Sequence, residues 1–419
     1  MMALGLIALV FLLLWLRQYL VIVLAAVAIY LYLTVGGGQV SNVILDGWDE
    51  LQKDVLIAIP LYMLAGQLMA EGAMARRLVR IMRALTAPVP AGLAVATCLS
   101  CGIFAAIVGS SSVTLLAVGT IMYPALLAGG YSKSFSLGLL CAGATLGIII
   151  PPSIPLILYG VMTGTSIADL FLAGVGPGLL LLGLLTAYSL ATQWHLRGKR
   201  WDGAEIRVSL REGVWALLMP VLILGGIYSG KFTATESASV ASVYALFVEL
   251  VVYRHLNWRG LKSVVLDTSR LMGGLFPVLM MALSINKLLV YQQVPQMLVG
   301  QLETLISSPV GFVLVSNALL LVVGCLMDIG SAILLLAPIL QPVAESQGLH
   351  PVHFGIMMTV NLEIGYLTPP MGLNLIVAMT AFRESFGFIC RAVLPFILLM
   401  MVGLIVVAFW PGLSLFMIG

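Results

Sequence analysis

The chain has 419 residues, 61% of them hydrophobic and 9% charged, with a formal net charge of +3 and a mean hydropathy of +1.12. Soluble domains carry about 45–50% apolar and about 25% charged residues, so this composition excludes a water-soluble fold. Its length admits roughly ten or more spans of about 20 residues each. The apolar runs are long and unbroken rather than short and alternating, which excludes a closed β-barrel and leaves helices to satisfy the backbone in lipid. No phosphate-cradling G-x4-G-K is present, which argues against an ATP-driven pump. Lipid, and not nucleic acid, is the expected surrounding.

In chain order, the residues predict spans near 2–16, 19–36, 55–74, 134–160 and 168–192. The first run lacks a basic flank and an A-x-A-like site, so it reads as a retained span rather than a cleaved signal. A second set is predicted near 212–230, 233–253, 271–290, 352–380 and 392–410. Two further apolar regions, 90–125 and 309–343, are interrupted at mid-length by Gly, Ser, Pro and Asp.

Charge placement predicts sidedness. Arg76, Arg77, Arg80 and Arg83 follow the third span, and His195, Arg197, Lys199, Arg200, Arg207 and Arg211 follow the fifth. Arg254, Arg259, Lys262 and Arg270 flank the seventh-to-eighth connection, and Arg383 and Arg391 lie between the last two spans. All four groups should face the cytoplasm, and segment 41–54, with Asp46, Asp49, Glu50 and Asp54 against Lys53, the opposite side. For these groups to share a side, 90–125 must enter and leave the bilayer on the cytoplasmic face, and 309–343 on the other. Each half then has two spans with an arm, one more span, a re-entrant hairpin, a Pro-interrupted span and a last span. Matching parts face opposite ways, which is the inverted-repeat design of secondary transporters. The regions are 1–89 (scaffold spans and outer arm), 90–192 (first hairpin and broken span), 193–211 (cytoplasmic loop), 212–308 (scaffold spans and inner arm) and 309–419 (second hairpin and broken span).

A repeated motif supports the pairing. Gly147-Ile148-Ile149-Ile150-Pro151-Pro152 matches Gly365-Tyr366-Leu367-Thr368-Pro369-Pro370, each about 35 residues beyond a polar hairpin tip. The tips are Gly109-Ser110-Ser111-Ser112-Val113-Thr114 and Asp328-Ile329-Gly330-Ser331. Pro-Pro inside a span removes amide donors and opens the preceding turn, and freed carbonyls at bilayer depth need a polar partner. Unwound carbonyls with Ser and Thr hydroxyls suit a sodium ion, and helix N-termini at the tips suit a carboxylate.

Each of these features also has a plainer reading. Ser110–Ser112 are small enough to serve tight helix packing, and the Pro-Pro pairs could be simple kinks. Asp328 in an apolar stretch points to ion or substrate handling, with a structural hydrogen bond as the alternative. Glu363 is open between local pairing and function, and Asn374 between a substrate-facing amide and an interhelical bond. Thr235 and Glu236 read as a helix-capping pair, and Trp15, Trp48, Trp194, Trp201 and Trp258 as interfacial anchors. Five cysteines, including the pair Cys98 and Cys101, read as buried small side chains. His195, His255, His350 and His353 are expected in loops, so neither a transition-metal site nor a catalytic triad is expected. An intramembrane enzyme using a tip serine is a remote alternative.

Four stretches, in order, resemble one family over essentially the whole chain. They are Ile57-Ala58-Ile59-Pro60-Leu61-Tyr62-Met63-Leu64-Ala65-Gly66; Leu146 to Pro155; Gly225-Gly226-Ile227-Tyr228-Ser229-Gly230-Lys231-Phe232-Thr233-Ala234-Thr235-Glu236; and Asn361 to Asn374. The sequence is similar to the large membrane subunit of tripartite ATP-independent periplasmic (TRAP) transporters, the DctM-like family. The resemblance implies an all-α, elevator-type protein of the ion-transporter superfamily in the bacterial inner membrane. It implies sodium coupling without any other cofactor, a small four-helix membrane subunit, and a periplasmic binding protein that delivers an organic anion. A stand-alone sodium–dicarboxylate symporter of related fold is the alternative. By motif position, the first sodium site would fall on Ser110, Ser111, Gly147 and Pro152, and the second on Asp328, Gly330, Gly365, Thr368 and Met371. The substrate-facing set would be Ser112, Ser153, Gly372 and Asn374. Where the family often has Gly-x-Pro between its first two spans, this chain reads Leu16-Arg17-Gln18-Tyr19.

Overall fold

A computed structural model describes residues 2–16, 18–198, 200–305 and 308–418; Arg17 and Lys199, named above, lie outside them. Every regular element among the described residues is a helix. The first half comprises α1 (Met2–Trp15), α2 (Leu20–Thr34), α3 (Ser41–Leu51), α4 (Ala58–Glu71), α5 (Met74–Thr86), α6 (Gly92–Val108), α7 (Ser111–Ala128), α8 (Lys133–Ile149), α9 (Ile154–Thr163) and α10 (Ile167–Gln193). The second comprises α11 (Gly203–Tyr228), α12 (Ala234–Phe247), α13 (Trp258–Tyr291), α14 (Val294–Leu305), α15 (Pro309–Leu326), α16 (Ile329–Ser346), α17 (Pro351–Gly365), α18 (Leu373–Phe382) and α19 (Phe386–Phe409), followed by the short α20 (Gly412–Leu415). Among the described residues, ten helical segments are long and apolar enough to cross a membrane, and the chain is a multi-pass membrane protein.

The ends of these helices follow local chemistry. Ser132, Ser153, Ser166, Asp202, Asn257, Ser308 and Asp328 each accept a first-turn amide, satisfying donors that no intrahelical carbonyl reaches. At α12 the cap is Thr233, which forms a reciprocal capping box with Glu236. The expected cap, Thr235, instead donates to the Asp54 carbonyl at 3.2 Å.

The two halves correspond element by element, and their packing corresponds too. Helix α9 packs on α16 as α18 packs on α7; α6 packs on α8 as α15 packs on α17; α8 meets α19 as α10 meets α17. The Pro-Pro segments separate α8 from α9 and α17 from α18, and both Pro-Pro bonds are cis. A continuous core runs through these elements, while Leu24, Ala28, Tyr32, Val43, Met281, Ile285 and Leu288 form a separate core between α2, α3 and α13.

Beyond the α12 cap, the structure departs from expectation in four places. The inner arm and the following span are one 34-residue helix, α13, because nothing between 258 and 276 removes an amide or turns the chain. In the first half, Lys53 is extended and separates α3 from the span. Segment 294–305, left without an element, is α14, which occupies the place in its half that α5 holds in the other. The loop after the fifth span ends early: Asp202 caps α11, so Arg207 and Arg211 are helical. Finally, His353 is not in a loop but 1% exposed inside α17, its Nδ1 3.3 Å from Ser414 Oγ.

Candidate functional site

Both hairpin tips come to one place. A cavity of about 160 Å³ is lined by Ser110, Ser111 and Ser112 from the first tip and by Ile329 and Gly330 from the second. The Pro-Pro break contributes Ile148, Ile154 and Pro155, and Tyr366 comes from the partner break. Its remaining wall includes Met63 of α4 and Leu275 of α13, on the third spans of the two halves.

The first tip is seated on the first break by close backbone contact. Gly109, at φ +63°, lies so near the Pro152 carbonyl that a Cβ would sit 2.6 Å from its oxygen. A Cβ on Gly147 would sit 3.1 Å from the Ser110 carbonyl oxygen. That oxygen also accepts the Thr114 amide and hydroxyl, at 3.1 and 2.8 Å. Ser110, Ser111, Gly147 and Pro152 are therefore neighbours.

The second tip is built around Asp328. Its carboxylate accepts the Ser331 amide at 2.9 Å and the Ser331 hydroxyl, which caps α16. The Tyr366 hydroxyl accepts the Ile329 amide at 3.4 Å, tying the tip to the second break. Helices α15 and α17 touch at Gly324 and Gly365, where a Cβ on Gly365 would come within 2.5 Å of the Gly324 carbonyl carbon. The Met371 amide donates to the Cys325 carbonyl at 3.2 Å, and the Thr368 hydroxyl to the Ile364 carbonyl at 2.9 Å. Gly365 and Met371 thus meet the end of α15, which leads into Asp328 and Gly330, while the Thr368 hydroxyl bonds within its own segment.

Of the four residues expected to face substrate, Ser112 lines the cavity. Ser153 is fully buried, donates to the Ile148 carbonyl and accepts the Leu156 amide at 3.4 Å, so its hydroxyl holds the break together. Asn374 is fully buried and donates to the Ser111 hydroxyl, linking α18 to α7. Gly372 takes φ +46° at the start of α18.

Besides Glu363, open in the sequence between local pairing and function, Tyr366, Asn361 and Glu249 are polar groups whose roles only the packing shows. Tyr366 falls within the repeated motif, one residue past its glycine. Glu363 is fully buried, and neither carboxylate oxygen has a hydrogen-bond partner among the described residues. Asn361 donates to the Asn317 carbonyl and side chain at 2.9 and 2.7 Å, bridging α17 to α15. Glu249, also fully buried, accepts the Ala73 and Met74 amides at 2.9 and 2.8 Å and caps α5 from the turn after α12.

The family described as "Tripartite ATP-independent periplasmic transporter, DctM component" matches residues 7–413. The C4-dicarboxylate TRAP transporter large permease protein DctM of Pseudomonas aeruginosa is 40% identical over 380 residues, covering 90% of this chain and 89% of the relative. The isethionate TRAP transporter permease protein DctMQ of Oleidesulfovibrio alaskensis is 36% identical over 371 residues, covering 87% of this chain and 58% of that longer relative. Among solved structures, the YdaH transporter of Alcanivorax borkumensis superimposes with a TM-score of 0.67 at 15% identity, covering 91% of this chain and 90% of that one, a likeness of fold. The chain belongs to the DctM family of TRAP transporter large permeases, a family of transporters and not of enzymes.

Proposed function

We propose that this chain carries the transport pathway of a sodium-coupled importer for small organic anions. The meeting of both hairpin tips at one cavity carries this reading. The tips re-enter the bilayer from opposite faces, and the halves form an inverted repeat. Backbone carbonyls freed at the breaks, with Ser110, Ser111, Gly147 and Pro152 on one side, hold one sodium ion. Asp328, Gly330, Gly365, Thr368 and Met371 hold a second. Helix starts and hydroxyls at the tips face the anion's carboxylate or sulfonate, with Ser112 in the cavity and Ser153, Gly372 and Asn374 shaping it from behind. Relatives named for C4-dicarboxylate and isethionate support a small anionic cargo.

Met63 and Leu275 lie on spans outside the hairpin-and-break unit, so the cavity sits where a moving block would slide against a frame, as an elevator requires. A periplasmic binding protein delivers the ligand, and a small four-helix membrane subunit braces the frame in the bacterial inner membrane. The test is uptake into proteoliposomes holding the chain with both partners. Uptake should require a sodium gradient, and Asp328→Asn and Thr368→Ala should each reduce it at least tenfold while raising the sodium concentration for half-maximal rate. Unchanged sodium dependence in both variants sinks the second site. Full uptake by the chain alone points instead to a stand-alone symporter.

A further inference from the structure

A second cavity, about 820 Å³, opens at the other end of the first hairpin. Arg80 and Arg83 of α5 line it, with Arg197 and Arg200 of the connection between the halves and Gly92 and Leu93 at the start of α6. Its carboxylates are already engaged. Glu205 receives Arg80 through Nε and Nη2 at 2.7 and 3.0 Å, and Asp202 accepts the Ala204 and Glu205 amides at 2.9 and 3.2 Å. Arg83, Arg197 and Arg200 have no ion-pair partner among the described residues. The 17-residue helix α6 also starts in this cavity; its N-cap residue makes no side-chain cap bond, and the Tyr131 hydroxyl meets the Leu93 and Ala94 amides, so the helix dipole adds its positive end to theirs.

The arginine-bearing connection is held in place by backbone contacts. The Ala91 amide donates to the Leu196 carbonyl at 2.9 Å, and the Trp201 indole donates to the Leu85 carbonyl at 3.2 Å. Gly198 sits so close to Pro88 that a Cβ would fall 2.2 Å from the Pro88 carbonyl oxygen. Trp194 and Trp201, both exposed, flank the connection, and indoles gather at headgroup depth. Converging guanidinium forks suit phosphate oxygens better than a point charge does, and basic pockets between spans bind anionic headgroups.

We propose that this cavity binds the phosphate of an anionic phospholipid headgroup, joining α5, the base of the first hairpin and the connection between the halves. Arg83 and Arg197 are the principal ligands. The full chain, delipidated in detergent, is titrated with phosphatidylglycerol, phosphatidylcholine and inorganic phosphate, and adducts are counted by native mass spectrometry. Phosphatidylglycerol should bind saturably and more tightly than phosphatidylcholine, and R83Q/R197Q should weaken it roughly twenty-fold. R83K/R197K, which keeps the charge and loses the forks, should bind more weakly than wild type and more tightly than R83Q/R197Q, and R270Q/R391Q, basic pairs elsewhere, should match wild type. Equal binding of the two lipids, or wild-type binding by R83Q/R197Q, overturns the site. Inorganic phosphate binding as tightly as phosphatidylglycerol, and lost in R83Q/R197Q, overturns the lipid as its source.

Discussion

At Gly109, where the first hairpin turns, two constraints coincide: a left-handed backbone and a carbonyl oxygen 2.6 Å from where a Cβ would be. Gly37 has a similar φ, +71°, but nothing within 4 Å of a Cβ position. Both alanine variants share the backbone penalty of about 1–2 kcal/mol. Gly109→Ala should unfold at a clearly lower temperature than Gly37→Ala and should lose uptake; equal midpoints would show that the contact with Pro152 matters little. Glu249 makes the opposite case. Glu249→Ala strands two buried amides, for a loss of about 1–3 kcal/mol, while Glu249→Gln keeps one acceptor and should lose less. Unchanged thermal midpoints for both variants in detergent would rule out the cap. Sequence showed the glycine beside its serines but not this glutamate, because its donors lie 175 and 176 residues away.

Among elements, α3 and α13 are joined by charge. Lys287 reaches Asp46 at 2.8 Å and Asp49 at 3.6 Å, and the Tyr32 hydroxyl of α2 donates to Asp46 at 2.7 Å. Burial pushes the Asp46 carboxyl up, but hydrogen bonds from Lys287 and Tyr32 and the Lys287 charge outweigh it and hold it below the usual carboxylate range. A depressed carboxylate contributes stability above its unfolded value, about 3.9, and that contribution disappears as pH falls through the lower folded value. Lys287 is 40% exposed, so the pair is screened and contributes no more than about 1 kcal/mol. Asp46→Asn should therefore lower the thermal midpoint slightly at pH 7, with the difference shrinking in high salt and toward pH 3. A difference that persists under both conditions would mean the side chain acts through packing instead. The acidic segment was legible from sequence, but its lysine was not, because Lys287 lies inside an apolar span.

For the whole molecule, the decisive relation is the exchange of halves. Helix α13 is about 51 Å long at 1.5 Å per residue, well beyond a hydrocarbon core of about 30 Å, and its first turns are expected to continue past the bilayer as an arm. The corresponding α3 arm should lie on the other face. In a cysteine-free background, Ser41→Cys and Ser263→Cys should react with an impermeant maleimide from opposite sides of oriented vesicles. Labelling from one side would remove the inverted relation.

Hydropathy, charge placement and the paired G-x3-P-P stretches by themselves determined the helical membrane class, the order of the apolar segments and the two interrupted regions, and the four matching stretches carried the family. These are local or periodic properties, and lipid leaves a backbone few ways to satisfy its amides. Only the tertiary structure decided that Ser112 reaches the cavity while Ser153 holds the break and Asn374 holds Ser111. It also showed that α13 runs unbroken and that His353 is buried. A side chain's direction at a helix break depends on which helix covers it, and here the covering helix comes from the other half of the chain.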